Sequence, residues 1–288
     1  LITVLLGNDG SVTLTDEGAG ITLEDVLQFR DTGDAGDTYS EDRLVSGTRE
    51  GITGLAVKGA RTTSARVSVE LVGSLQLPVS LDSSRRERRA DTVSSDLRLR
   101  LELRRGEPFV RIAVTLVNRS RDHRLQLRFS SSRPTGRVLS STQFAWEDPA
   151  AELPETADRS QPPPEVSRLM LGAREPELTS ICPTAGGVAA GDETGALLVG
   201  AEGLFEGELL GGGDFGLTLV RSVGWLARGD LRSRTGDAGP EIFAPDAQCL
   251  RPLETRIAVA PLPSLEHATG LKGSKVLEEL TAPLFRLP

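Results

Sequence analysis

The clearest pattern in the chain is a strict alternation of leucines with charged residues over residues 96–104. A period of two places the leucines on one face of a β-strand, whereas a helix would scatter them around its circumference. The turn at residues 105–108 leads into an apolar segment at 109–117. Together these segments predict an antiparallel hairpin with one buried face.

The same alternation recurs along the chain and predicts further strands near residues 11–15, 65–71 and 125–129. A second set of strand segments is predicted at 187–190, 196–201, 217–223 and 255–260, joined by glycine-rich connections. Residues 135–168 are rich in proline and polar side chains, which predicts surface loops and edge strands. Only residues 274–280 have helical spacing. The predicted fold class is all-β: a large antiparallel β-sandwich with few helices.

Composition narrows the possible functions. The net charge of −8 argues against a nucleic-acid-binding protein, whose affinity depends on neutralising phosphates. We interpret the local basic run at residues 85–89 as a solvated loop. No signal-peptide pattern or apolar run of about twenty residues is visible, so no membrane partner is expected. Two cysteines, Cys182 and Cys249, are too few for a disulfide framework or a zinc site, which favours a reducing, cytoplasmic setting.

Candidate chemistry is concentrated in the run FRDTGDAGDTY at residues 29–39, which contains the only tyrosine of the chain, Tyr39. Its carboxylates recur every third residue, and its glycines favour a curled loop. The residues alone leave two interpretations open: a solvated acidic turn, or a sugar-binding edge that uses the carboxylates and the phenol. A calcium loop is disfavoured because the required spacing of oxygen ligands is not met.

The run at residues 29–39 resembles a loop in the C-terminal β-domain of bacterial α-mannosidases of glycoside hydrolase family 38. Other stretches match the same family in the same order: EP at 107–108, NRSRDHRL at 118–125, AWEDP at 145–149, RSVGWLARGDL at 221–231, GDAGPE at 236–241 and AQC at 247–249. The resemblance extends over about residues 3–262. Its motifs are specific because they keep their order and approximate spacing.

The resemblance implies that residues 1–288 are a single β-sandwich domain, of the supersandwich type also found in aldose-epimerase-like proteins. It further implies that this domain is a fragment of a larger enzyme that hydrolyses α-mannosides with retention of configuration. The family's nucleophile and zinc ligands lie in an N-terminal catalytic domain, which would be this chain's partner in the same polypeptide. No catalytic residue, metal ligand or cofactor is therefore expected in the chain itself, and the fragment alone should be inactive.

The family also suggests which residues border the active site from the β-domain. Tyr39 matches a tyrosine at the edge of the family's site, and an arginine of a later loop approaches it there. We expect that arginine to be Arg232 or Arg234, and we expect Asp34 and Asp37 to contact sugar hydroxyls or to position the loop. His123, in a predicted tight turn, is expected to stabilise the turn or to face solvent.

Two other classes of function remain open at this point. One is a free-standing carbohydrate-active supersandwich enzyme, epimerase-like or lyase-like, that uses Tyr39 together with an arginine and a histidine. The other is a carbohydrate-binding module without chemistry of its own.

Overall fold

The structure is a computed structural model that describes residues 2–7, 11–51, 55–152, 180–234 and 236–281. Its strands, in chain order, are β1 (Ile2–Leu6), β2 (Val12–Asp16), β3 (Ile21–Leu23), β4 (Gln28–Asp34), β5 (Arg43–Glu50), β6 (Leu55–Thr62), β7 (Arg66–Pro78), β8 (Thr92–Arg104), β9 (Val110–Val117), β10 (His123–Ser130), β11 (Arg137–Ser141), β12 (Trp146–Glu147), β13 (Ile181–Pro183), β14 (Gly187–Gly191), β15 (Ala196–Ala201), β16 (Glu206–Gly211), β17 (Asp214–Ser222) and β18 (Pro252–Leu262). Two helices follow, α1 (Leu265–Thr269) and α2 (Leu271–Thr281).

The strands form three sheets. Nine strands are ordered β12-β11-β14-β15-β18-β9-β8-β7-β6, six are ordered β13-β16-β17-β10-β4-β5, and β1-β2-β3 form a small third sheet. Every strand pair within the described ranges is antiparallel. The predicted all-β antiparallel sandwich with few helices is thereby confirmed.

The main core lies between the sheets and contains side chains from all three. The hairpin β8–β9 supplies Leu97, Leu99 and Leu101, and β10 supplies Phe129, which stacks on Phe215 of β17 with ring centroids 5.4 Å apart. The alternation that predicted β8 is the pattern of a strand with one face on this core. Both strands of the predicted hairpin are confirmed.

A second core lies on the opposite face of the nine-stranded sheet, where α1 and α2 pack. Leu198 of β15 belongs to this second core, whereas its neighbours Leu197 and Val199 belong to the first. Both faces of β15 are therefore covered, which explains why its sequence is continuously apolar and not alternating. The helix predicted near residues 274–280 is confirmed within α2.

The proline-rich excursion is only partly described. β11 and β12 lie at one edge of the nine-stranded sheet, as predicted for residues 135–168. The remainder of that prediction, residues 153–168, lies outside the described residues. Neither helix in the described ranges has the length and apolar character needed to cross a membrane.

Candidate functional site

The acidic run at residues 29–39 is divided between a strand and a turn. Asp31 and Asp34 belong to β4, which pairs with β10 of the six-stranded sheet, so the expectation of one continuous curled loop is wrong. Pairing continues to the end of the strand because the Asp34 N–H donates to the carbonyl of Asp122 at 2.9 Å. The turn begins only after Asp34. We call residues 35–42, between β4 and β5, the site turn.

Asp34 fastens both ends of the site turn. One carboxylate oxygen accepts the N–H groups of Gly36 at 2.8 Å and Asp42 at 3.0 Å. The other accepts Nε of Arg221, on β17, at 2.6 Å. Burial alone would raise the pKa of Asp34, but the Arg221 guanidinium beside it holds that pKa below its usual value. The Asp34 side chain is 2% exposed, and both of its oxygens already accept hydrogen bonds from the protein, so its contacts shape the turn.

Asp37 has the same role at the tip of the turn. Its Oδ1 accepts the N–H groups of Tyr39 and Ser40 at 2.9 and 2.8 Å. Its Oδ2 accepts the Arg228 N–H at 2.8 Å and the Arg234 guanidinium at 2.7 Å. Burial alone would raise the pKa of Asp37, but the hydrogen bond from Arg234 and those from the backbone lower it.

The two predicted arginines lie on the long connection between β17 and β18, residues 223–251, and differ in exposure. Arg234 is 5% exposed and donates to Ser40 Oγ, Asp37 Oδ2 and the Arg228 carbonyl. Arg232 is 54% exposed and forms an ion pair with Asp42 at 3.0 Å. Arg234 therefore fixes the site turn to the long connection, whereas Arg232 has guanidinium surface open to a ligand.

Tyr39 is the exposed member of the group, with 58% of its surface accessible. Its ring lies against Gly239, where an added Cβ would be 3.4 Å from the phenol oxygen. The preceding residue, Thr38, is held to the long connection by two hydrogen bonds. Its N–H donates to the Trp225 carbonyl at 3.1 Å, and its hydroxyl donates to the Leu226 carbonyl at 2.7 Å. The phenol hydroxyl has no hydrogen-bond partner among the described residues, so it can bind an external group.

An aromatic pair lies beside the site turn. Trp225 is half-buried and meets Phe243 edge to face, with ring centroids 5.4 Å apart. The Arg228 guanidinium stacks over the Trp225 ring at 4.7 Å. Phe243 is 61% exposed and Ile242 is 52% exposed. The long connection thus carries exposed apolar side chains as well as Gly239, which contacts Tyr39, and Arg232, which pairs with Asp42 of the site turn.

A buried charge network behind the site turn was not predicted. His123 is fully buried, with Nδ1 2.7 Å from Asp31 Oδ1 and Nε2 3.1 Å from Asn118 Oδ1. The other oxygen of Asp31 lies 2.6 Å from Arg88 NH1. His123 therefore does not face solvent. The interpretation of residues 85–89 as a solvated loop is wrong for Arg88, whose side chain is 5% exposed, and for Arg85, which donates to the Ala35 carbonyl. Sequence periodicity missed these residues because pairing between distant segments leaves no local signal.

The described residues contain no group of three or more His, Cys, Asp or Glu side chains that could hold a metal ion. Of the two histidines, His123 is enclosed in the network above, and Nδ1 of His267 lies 2.8 Å from the hydroxyl of Ser264, at the start of α1. Within the part of the chain that the structure describes, the residues do not fit a zinc site.

No protein-family model matches the chain. A protein of Halalkalibacterium halodurans named "Putative mannosylglycerate hydrolase" is 24% identical over 275 residues, which are 90% of this chain and 27% of that protein. An alpha-mannosidase from Enterococcus faecalis V583 has a similar structure, with a TM-score of 0.76 and 20% identity over 96% of this chain and 30% of that one. A glycosyl hydrolase family 38 protein from Enterococcus faecalis gives a TM-score of 0.75 and 20% identity over 96% and 31%.

These comparisons confirm the resemblance to glycoside hydrolase family 38 and show that the fold occurs within proteins of that kind. The chain spans less than a third of the length of each of them. The five residues predicted for the site all lie in or around the site turn. Asp34, Asp37 and Arg234 are buried in protein contacts, and Tyr39 and Arg232 are exposed. Their contact with a substrate stays a prediction.

Proposed function

We propose that residues 1–288 form the C-terminal β-domain of an α-mannosidase of glycoside hydrolase family 38. The whole enzyme would hydrolyse α-mannosides with retention of configuration, and this domain would complete the edge of the active site without supplying a catalytic residue. The observation that carries the proposal is structural similarity over 96% of the chain to an α-mannosidase more than three times as long. The ordered motifs at residues 29–39 and 221–231 support it independently.

The chemistry of such an enzyme belongs to the rest of the polypeptide. A retaining glycosidase needs two carboxyl groups about 5 Å apart, one as nucleophile and one as acid/base. Asp34 and Asp37 are unsuited to these roles because arginines and backbone N–H groups occupy their oxygens. In the proposed enzyme, the nucleophile and the zinc ion are contributed by an N-terminal catalytic domain, which is the partner of this β-domain.

The β-domain would contribute contacts to the mannoside from the open side of the site turn. The Tyr39 phenol can exchange a hydrogen bond with a sugar hydroxyl, and its ring presents an apolar face. Nε and NH2 of Arg232 already pair with Asp42, so the NH1 side of the guanidinium is left to donate to sugar hydroxyls or to a carboxylate. Asp34, Asp37 and Arg234 would not contact the mannoside themselves but would fix the backbone that carries Tyr39.

A substrate with an anionic aglycone is a second candidate for the same site. The relative named as a mannosylglycerate hydrolase is named for a mannoside that carries a carboxylate. The side chain of Arg232 is half-exposed, and its guanidinium could pair with that carboxylate at the rim of the site.

The alternative classes receive less support. An epimerase-like or lyase-like enzyme would need a histidine near Tyr39, but His123 is fully buried and His267 lies at the start of α1. A free-standing binding module is also less well supported, because the relatives that the chain matches are all more than three times as long. We include a cytoplasmic location in the proposal because Cys182 and Cys249 are both free thiols, as is usual in a reducing compartment.

The test compares the isolated chain with the product of the full reading frame. Both are assayed with an aryl α-mannoside and with mannosylglycerate, with and without added zinc. We expect turnover by the longer protein only, abolished by a chelator and restored by zinc. Turnover by residues 1–288 alone, lost on substituting a residue within them, would contradict the proposal.

A further inference from the structure

A loop from the other sheet supports the site turn. Residues 79–91, which we call the basic loop, connect β7 to β8 of the nine-stranded sheet, whereas the site turn belongs to the six-stranded sheet. Leu81 of the basic loop forms a small apolar cluster with Ala35 and Leu44. The two segments are thus packed together although about 45 residues separate them in sequence.

Arg85 contacts the backbone of the site turn directly. Its NH2 donates to the Ala35 carbonyl at 2.6 Å, and its NH1 lies 3.8 Å from Asp122 Oδ1. Asp122 in turn accepts a hydrogen bond from Gln248 at 2.8 Å, so Arg85 bridges the turn and the long connection. These contacts hold the carbonyl groups just before Asp37.

The backbone of Arg85 is in a conformation that needs support. Its φ angle is +57°, in the left-handed region that residues with a Cβ seldom adopt. Asp82 holds this conformation because its carbonyl accepts the Arg85 N–H at 3.0 Å and its Oδ1 accepts the Arg86 N–H at 3.2 Å. Strained backbone of this kind persists where the surrounding contacts over-determine it, often next to functional sites.

Arg88 enters the same region from beneath β4. Its aliphatic stem passes Gly33, where an added Cβ would lie 3.1 Å from Arg88 Cγ. Its guanidinium pairs with Asp31, whose other oxygen lies 2.7 Å from His123. The buried network is therefore continuous from the basic loop through β4 to β10.

We propose that Arg85 is a positioning residue, which sets the conformation of the site turn and hence the placement of Tyr39. The catalytic consequence rests on the proposed function, but the effect on the turn does not. Arg86 and Arg89 of the same loop provide the contrast. The Arg86 side chain is exposed, and the half-exposed side chain of Arg89 pairs with Asp91. Neither of these side chains therefore supports the site turn.

The first measurement reads the turn directly and requires no activity. Amide hydrogen exchange is followed by mass spectrometry in the full-length protein and in its R85A and R86A variants. We expect exchange across residues 34–42 to become about tenfold faster in R85A and to stay unchanged in R86A. Equal protection of residues 34–42 in the two variants would overturn the assignment, whether or not the protein is a mannosidase.

The second measurement asks whether Arg85 acts through Tyr39. On an α-mannoside, R85A is expected to lower kcat/KM about tenfold, R85K to recover part of the loss, and R86A to change nothing. Combining R85A with Y39F should lower kcat/KM little beyond the larger single effect, since both changes disturb one contact. Fully additive losses would overturn the role of Arg85 as a positioning residue. Absence of turnover in the unsubstituted full-length protein would count against the proposed function only.

Discussion

Replacing Asp37 by Asn tests whether this carboxylate holds the site turn together. The side chain is fully buried and accepts four hydrogen bonds, two at each oxygen. In Asp37→Asn, an NH2 group would face the donors of Arg228 and Arg234, and Arg234 would remain buried without its counter-ion. Removing one partner of a buried ion pair costs about 3–5 kcal/mol. We therefore expect the free energy of unfolding to fall by about 3–5 kcal/mol.

The assay is equilibrium unfolding in urea, with Asp230→Asn as the matched control. Asp230 also pairs with an arginine, Arg228, but its side chain is 61% exposed, so this substitution should cost about 0–1 kcal/mol. A loss for Asp37→Asn no larger than that for Asp230→Asn would refute the idea that a buried, saturated carboxylate organises the turn.

Three further predictions concern the hairpin, the site turn and the acid dependence of stability. Leu101→Ala should cost about 2–5 kcal/mol in urea unfolding and Arg100→Ala about 0–1 kcal/mol, because only Leu101 faces the core. Gly36→Ala should cost about 1–3 kcal/mol in the same assay, because the new Cβ would lie 2.2 Å from the Ser40 carbonyl. Burial alone would raise the pKa of Asp37, but Arg234 lowers it, so the stability that this group contributes should be lost as pH falls below about 4.

Each of these has an outcome that would contradict it. Equal losses in the free energy of unfolding for Leu101→Ala and Arg100→Ala would mean that the face of β8 assigned to the core is wrong. Gly59, on the exposed strand β6, has open space around its Cβ position, so Gly59→Ala should be tolerated and gives the comparison for Gly36. For the acid dependence, thermal melts between pH 3 and pH 7 should show a shallower loss in Asp37→Asn than in the unsubstituted protein. Parallel curves would exclude a linked proton at Asp37.

The fold was largely predictable because the pattern of apolar and polar residues in each strand shows which of its faces are buried. In β8, the leucines alternate because one face meets the core, and in β15 the apolar run is continuous because α1 and α2 cover the second face. The site was less predictable, since its shape depends on ion pairs between distant segments. The pair of Asp37 with Arg234 joins residues 197 positions apart, and that of Asp34 with Arg221 joins residues 187 apart.

The basic run at residues 85–89 illustrates the limit. By composition it is a solvated loop, and Arg86 and Arg89 fit that description. The Arg88 side chain is nevertheless buried, because its stem crosses a glycine of β4 and its guanidinium pairs with Asp31. Nothing within five consecutive charged residues distinguishes these arginines, so only the tertiary structure could.

The measurement that tests the account most directly is the kinetic effect of Tyr39→Phe in the full-length protein. The substitution removes one hydroxyl from an exposed side chain and leaves the ring against Gly239 in place. We predict a loss of about 1–3 kcal/mol in kcat/KM on an α-mannoside, with the melting temperature unchanged. Unchanged kinetics, together with a large loss in Arg232→Ala, would assign the substrate contact to the long connection. Unchanged kinetics in both variants would mean that this domain supports the enzyme without bordering its active site.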